Sequence, residues 1–304
     1  MPSLHPLELP EVLLSVASYV SERSLPDCVR VSKAWHQVFV PLLWKDIALQ
    51  KSRPIMPQAI HSNSQFVKTL RICQSFAWER AAPVFPKLDS LTFEYSIPDE
   101  YVFDFTTRHP FLTYLGLVKT VLPLSSRLLD QLIGLYNLRH LGIRVLQADE
   151  DNADKVWQLC ARLERLDLSY LVISTQGNLG STEFPHLCEL RGIDCDEDCL
   201  QLVLSFVERC PNLQSFDWTL CHSENQRFIP VFAQLIAAGT WPHLRSISAR
   251  MFKHEDDLSR IVQSMRRITD FMTDELLFTP KLLGLLRPHF SHLQALNLTL
   301  ASQA

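Results

Sequence analysis

LRHLGIRVLQADEDNADKVWQLCARLERLDL, Leu138 to Leu168, holds the pattern that decides the fold. It opens with Leu138, Leu141 and Ile143, spaced as apolar, two residues, apolar, one residue, apolar. A helical stripe runs from Ala153 to Leu163, and the opening pattern then returns as Leu163, Leu166 and Leu168. A short strand of period two therefore feeds a helix that leads back to a strand of the same kind.

Copies lie on both sides. Val67-Leu70-Ile72, Leu88-Leu91-Phe93 and Leu112-Leu115-Leu117 come before it. Leu187-Leu190-Gly192, Leu213-Phe216-Trp218, Leu244-Ile247-Ala249, Ile268-Phe271-Thr273 and Leu293-Leu296-Leu298 come after it. First positions of successive units are 21, 24, 26, 25, 24, 26, 31, 24 and 25 residues apart. All but one fall within the window of about 20–29 residues typical of leucine-rich repeats. Pro86, Pro110, Pro185, Pro211 and Pro242 stop the intervening helices just before a strand. The expected fold is α/β: an irregular solenoid of about ten units over residues 65–304, with parallel strands on the concave face and helices on the convex face. The slot three residues after each pattern holds no Asn in any unit, which predicts irregular loops and uneven curvature. The last strand is followed only by a few residues, so the carboxyl-terminal unit is expected to lack a polar cap over Leu293, Leu296 and Leu298.

Ahead of the repeats, Pro10 and Glu11 suit a helix start, and Leu13, Val16, Ala17 and Val20 follow at helical spacing. Ser24, with Asp27 three residues on, predicts a second helix carrying Cys28, Val31, Trp35, Val38 and Phe39. Pro41 predicts its end and a short third helix with Leu43, Trp44 and Ile47. Three helices in so short a segment bury little surface, so apolar side chains should remain available to a partner. A polar, Pro-containing linker, residues 51–64, separates this module from the repeats.

Leu9-Pro10-Glu11, the run Val12 to Val20, Cys28-Val29-Arg30-Val31-Ser32-Lys33-Ala34-Trp35 and Leu43-Trp44-Lys45-Asp46-Ile47 together resemble an F-box over residues 5–50. With the repeats, the resemblance extends to F-box proteins with leucine-rich repeats, the substrate-receptor subunits of SCF-type (cullin-RING) ubiquitin ligases. It implies that Leu9, Pro10, Leu13, Val16, Val31 and Trp35 dock on the ligase's small adaptor subunit and through it on a cullin. The repeats would then hold an unidentified protein substrate. The chain itself would perform no chemistry and would need no cofactor. Val20 where the family often has Leu, and Val12 where it often has a polar residue, are mild departures.

The formal charge of −4 and a pI near 6.3 argue against a nucleic-acid partner, because that mode needs a basic face. No apolar run approaches the roughly 18 residues that span a bilayer, and prolines at Pro6 and Pro10 break up the amino-terminal apolar run. A cytoplasmic or nuclear location with reduced thiols is the expectation. Cys195, Cys199, Cys221 and His222 invite a zinc site, but their spacing matches no known ligand pair and the cysteines fall in repeat slots that suit small buried thiols. His186, His243 and His292 share one slot, which favours a structural role over catalysis. The concave face supplies the candidate substrate contacts. Strand alternation points Tyr114, His140, Arg144, Arg165, Asp167, Glu189, Arg191, Asp217 and Arg250 toward it, a polar surface of mixed sign. A non-ligase interaction scaffold is the alternative reading, with a metal-dependent enzyme behind it.

Overall fold

A computed structural model describes residues 9–50, 55–73, 83–118, 124–148, 152–173, 179–192, 200–217, 228–248, 255–265, 267–274 and 279–299. Its frame is one eleven-stranded sheet, parallel at every described pairing, in which strand order follows chain order. The strands are β1 (Asp46–Leu49), β2 (Thr69–Ile72), β3 (Ser90–Phe93), β4 (Tyr114–Leu117), β5 (His140–Ala148) and β6 (Arg165–Ile173). They continue as β7 (Glu189–Arg191), β8 (Ser215–Asp217), β9 (Ser246–Ser248), β10 (Asp270–Asp274) and β11 (Ala295–Thr299).

The repeat pattern explains the burial. Leu70, Leu91, Leu115, Leu141, Leu166, Leu190, Phe216, Ile247 and Phe271 occupy equivalent strand positions and are all buried in one continuous core. Each such side chain contributes roughly 1.5–3 kcal/mol by leaving water, and it does so only because a neighbouring unit covers it. Helices α4 (Pro57–Asn63), α5 (Asp99–Arg108), α6 (Ser126–Gly134), α7 (Ala153–Cys160), α8 (Leu200–Glu208), α9 (Phe228–Ala237), α10 (Glu255–Ser264) and α11 (Pro280–Leu286) supply the other side of the layer.

From the second unit on, a second ladder lies three residues before the repeat pattern. Phe85, His109, Leu135, Cys160, Phe184, Cys210, Trp241 and Met265 fill that slot and are buried. The thiols of Cys160 and Cys210 thus serve as small core groups, with burial pushing the Cys160 pKa up to about 12. In the last unit the same slot holds Phe290, which is 47% exposed, and Leu296 of β11 is 40% exposed.

The amino-terminal module consists of α1 (Pro10–Ala17), α2 (Leu25–Cys28) and α3 (Lys33–Leu43) around a separate small core of Leu13, Leu25 and Phe39. Its helix boundaries differ from those expected. Ser24 caps nothing; its hydroxyl lies 3.0 Å from that of Ser21. Ser32 is extended instead and its Oγ accepts the Trp35 N–H, so it starts α3 and interrupts the single helix expected from Ser24 to Phe39. Pro41 is accommodated inside α3 rather than ending it. The expected third helix is absent, because Ile47 and Leu49 alternate into the solenoid core and β1 pairs with β2 through Asp46↔Thr69 and Ile47↔Leu70. The stretch read as a linker carries α4, whose Ile60 is buried in the same core. The repeat array therefore begins one unit earlier than its sequence pattern indicated.

One other expectation changes, and one is not reached. His186, His243 and His292 are exposed, so their shared slot faces solvent rather than filling a structural niche. Cys195, Cys199, Cys221, His222 and Arg250 lie outside the described residues.

Candidate functional site

Two surfaces collect the candidate residues. On the amino-terminal module, Leu9 and Pro10 are exposed at the start of α1, and Val31 is 60% exposed in the turn before α3. Val16 and Trp35 are half-buried, packed on the small core, with Trp35 stacked on Phe39 at 5.1 Å between ring centroids. Leu13 departs from its expected role. At 0% exposed it is the centre of that core and can touch no partner. Leu14, 57% exposed, and Tyr19 stand on the surface instead. Sequence periodicity did place Leu13 on one stripe with Val16, Ala17 and Val20, and that stripe is the one packed on the small core, so its reading as a docking face fails at Leu13.

The second surface is the exposed face of the central strands. The register sets Tyr114, His140, Arg165, Glu189 and Ser215 in one row and Gly116, Gly142, Asp167, Arg191 and Asp217 in the next. Alternation turns the intervening leucines inward, so these residues share a face. Four of them close a ring of alternating charge. Arg165 meets Asp167 at 3.1 Å and Glu189 at 3.4 Å; Arg191 meets Glu189 at 3.1 Å and Asp167 at 4.0 Å. Burial alone would lower the Arg165 pKa, but the Asp167 hydrogen bond and the Asp167 and Glu189 charges outweigh it and hold the guanidinium above its ordinary value. The ring is neutral and preorganised. Its members stay partly exposed, which suits a surface that sets orientation and specificity.

Gly116 and Gly142 were not among the expected site residues, although their shared place in the L-G-L and L-G-I triplets was visible. They lie side by side, and the Tyr114 ring reaches across them. A Cβ on Gly116 would meet the Tyr114 hydroxyl at 3.1 Å, and one on Gly142 would meet it at 3.3 Å. Beside this floor runs a depression of ≈ 300 Å³ whose walls include Val118, Arg144, Asp167 and Arg191. His140 stands edge-on to Tyr114, 6.5 Å between ring centroids, and its Nε2 lies 4.0 Å from a Glu164 oxygen. Among the described residues, no group of three or more His, Cys, Asp or Glu is placed to hold a metal ion, and no helix is long and apolar enough to cross a membrane.

A stacked parallel sheet with a charged open face and a small helical module at one end define a protein-interaction scaffold. Residues 10–50 match the F-box-like family model, so the chain carries an F-box-like domain in front of a leucine-rich-repeat solenoid. Among solved structures, an internalin from Listeria monocytogenes str. 4b F2365 aligns at 11% identity and a TM-score of 0.37, covering 97% of this chain and 90% of that one. A TLR13–ssRNA13 complex aligns at 13% identity and a TM-score of 0.34, over 79% of this chain and 40% of that chain. Likeness at this level carries no argument; the solenoid rests on the sheet itself. A search of the curated proteins returned no match.

Proposed function

We propose that the chain is the substrate-recognition subunit of an SCF-type ubiquitin ligase, with the F-box-like domain docking the Skp1-type adaptor and the solenoid holding the protein to be ubiquitylated. Leu9, Pro10, Val16, Val31 and Trp35 contribute the adaptor contact, while Leu13 supports it from beneath. Tyr114, His140, Arg144, Arg165, Asp167, Glu189, Arg191 and Asp217 contribute the substrate face. The observation that carries this reading is the junction between the two parts. Only Trp44 and Lys45 separate α3 from β1. Trp44 packs on the solenoid core, and the Lys45 carbonyl accepts the N–H groups of Lys68 and Thr69 at 2.8 and 3.0 Å. The docking helices are thus joined directly to the first strand of the recognition sheet. A subunit built this way works by proximity: holding a substrate lysine near the charged ubiquitin carrier raises its effective concentration without any chemistry of its own.

The test is co-expression of the intact chain with a Skp1-type adaptor, with Leu9 and Pro10 both replaced by Ala in the variant. Loss of co-purification with an unchanged melting midpoint of the repeats supports the docking site. Wild-type recovery of adaptor by the variant removes it. An intact chain that recovers neither adaptor nor cullin points to a non-ligase scaffold.

A further inference from the structure

The charge ring leaves one guanidinium over. Asp167 is engaged by Arg165 and Arg191, and Glu189 by the same two arginines. Arg144 sits one residue beyond the Ile143↔Leu117 pair, on the face shared with Gly142, and it has no ion-pair partner among the described residues. It lines the depression together with Val118, an exposed aliphatic side chain. The Tyr114 hydroxyl lies over the paired glycines at the same place and makes no hydrogen bond among the described residues. The paired glycines leave the room in which the Tyr114 side chain lies, and this sets its hydroxyl at the depression. The donors at that floor are therefore a guanidinium and a phenol; of the two carboxylates in its wall, Asp167 is held by Arg165 and Arg191, and Asp217, beside Arg191 in the register, is half-buried.

We propose, resting on the concave-face reading above, that this depression receives an aspartate or glutamate side chain from an extended segment of the bound protein. Its carboxylate accepts hydrogen bonds from Arg144 and from the Tyr114 hydroxyl, and its aliphatic stem or neighbour covers Val118. A charge-assisted pair of this kind selects acid over amide, because an amide leaves the guanidinium without a counter-charge. A basic side chain meets the like charge of Arg144 and finds Asp167 already paired with Arg165 and Arg191, which leaves Asp217 as the carboxylate in the wall it could approach.

The experiment is selection of a random linear dodecapeptide phage library on the full chain, followed by titration of the enriched peptides as synthetic probes. An acidic residue at a fixed place in the enriched set is expected. Arg144→Glu should weaken those peptides by about tenfold or more, Tyr114→Phe by about threefold, and Arg144→Lys least of all, each at an unchanged melting midpoint. Replacing the peptide's acid by its amide should reproduce the loss. Enriched peptides without an acidic residue, equal binding to Arg144→Glu, or no enrichment on a folded wild-type chain each overturn the proposal. Adaptor co-purification is measured separately, so a failed ligase reading and a failed acid-binding site are told apart.

Discussion

His109 Nε2 accepts the backbone N–H of Phe85 at 3.0 Å, across one repeat unit. Its Nδ1, 2.7 Å from the Phe105 carbonyl, therefore carries the proton and donates it there. The ring is buried, stacks on Phe105 at 4.8 Å, and occupies the slot that Cys160 and Cys210 fill farther along. Burial lowers its pKa below the ordinary 6.5 by taking the charged ring out of water, with Arg108 adding to the shift against the Phe105 hydrogen bond, and a second proton would also displace the Phe85 N–H. The unfolded chain then takes up a proton near pH 6.5 that the folded chain refuses. Stability is full above that pH and falls as the pH drops from 6.5 through the lowered folded value. Denaturant titrations at pH 7.5 and 5.5 should show this loss in the wild type and a smaller one in His109→Leu. His289, also lowered by burial and by His292, acts with the same sign in both proteins, so the difference between them isolates His109. Equal pH dependence in the two would remove His109 as the titrating group.

The small module should respond oppositely to two neighbouring leucines. Leu13→Ala opens a cavity in a core of three buried side chains and is expected to cost about 2–5 kcal/mol, enough to unfold the module. Leu14→Ala removes only exposed surface and should leave folding within about 0.5 kcal/mol while weakening adaptor capture. Limited proteolysis of residues 9–45 beside an adaptor pull-down separates the two effects.

Closing the glycine floor should be graded. On Gly116 a Cβ meets both Thr92, at 3.1 Å, and the Tyr114 hydroxyl, whereas on Gly142 it meets chiefly the mobile end of Tyr114. Gly116→Ala should therefore destabilise by about 1 kcal/mol or more, and Gly142→Ala by less. Differential scanning calorimetry that ranks them the other way would show that Tyr114 does not lie across the pair.

The ring of Arg165, Asp167, Glu189 and Arg191 is half-exposed, so it should add little to folding, and the proposed function gives it a part in recognition. Arg165→Ala should cost no more than about 1 kcal/mol of stability. Reversal of Arg165 and Arg191 to Glu together leaves four like charges and should abolish partner capture while leaving adaptor binding intact. Capture that survives reversal would move the reading surface to the loops or the convex helices.

Cys160, with its pKa pushed up to about 12, and Cys210, raised in the same direction by burial and the nearby Cys160, should resist alkylation. Iodoacetamide at pH 8 ought to leave both unmodified in the native chain and label both after denaturation. Mass spectrometry of native digests reads this directly, and native labelling of either would contradict its place in the buried ladder.

The repeat array was legible in the sequence because each unit carries the same local rule. Leu138-Leu141-Ile143 demands a strand with two inward side chains whatever surrounds it, and its recurrence demands that strands stack. The charged row followed from the same alternation. Segment identity was not local where one stretch serves two cores. Asp46 to Leu49 follows a helix and reads as its continuation, yet Ile47 and Leu49 find more apolar surface beside Leu70 and Ile72 than the small module can offer. The spacing of Leu13, Val16, Ala17 and Val20 marked the apolar stripe of α1, but only the packing of α2 and α3 on it shows that Leu13 is spent on the small core and not left to a partner. Arg165 and Asp167, like Arg191 and Glu189, are two residues apart on one strand, but closing them into a ring through Arg165–Glu189 and Arg191–Asp167 needed the folded register. Charges about 25 residues apart in sequence become neighbours only when adjacent strands sit about 4.8 Å apart, and no periodicity in a single chain states which carboxylate an arginine will choose.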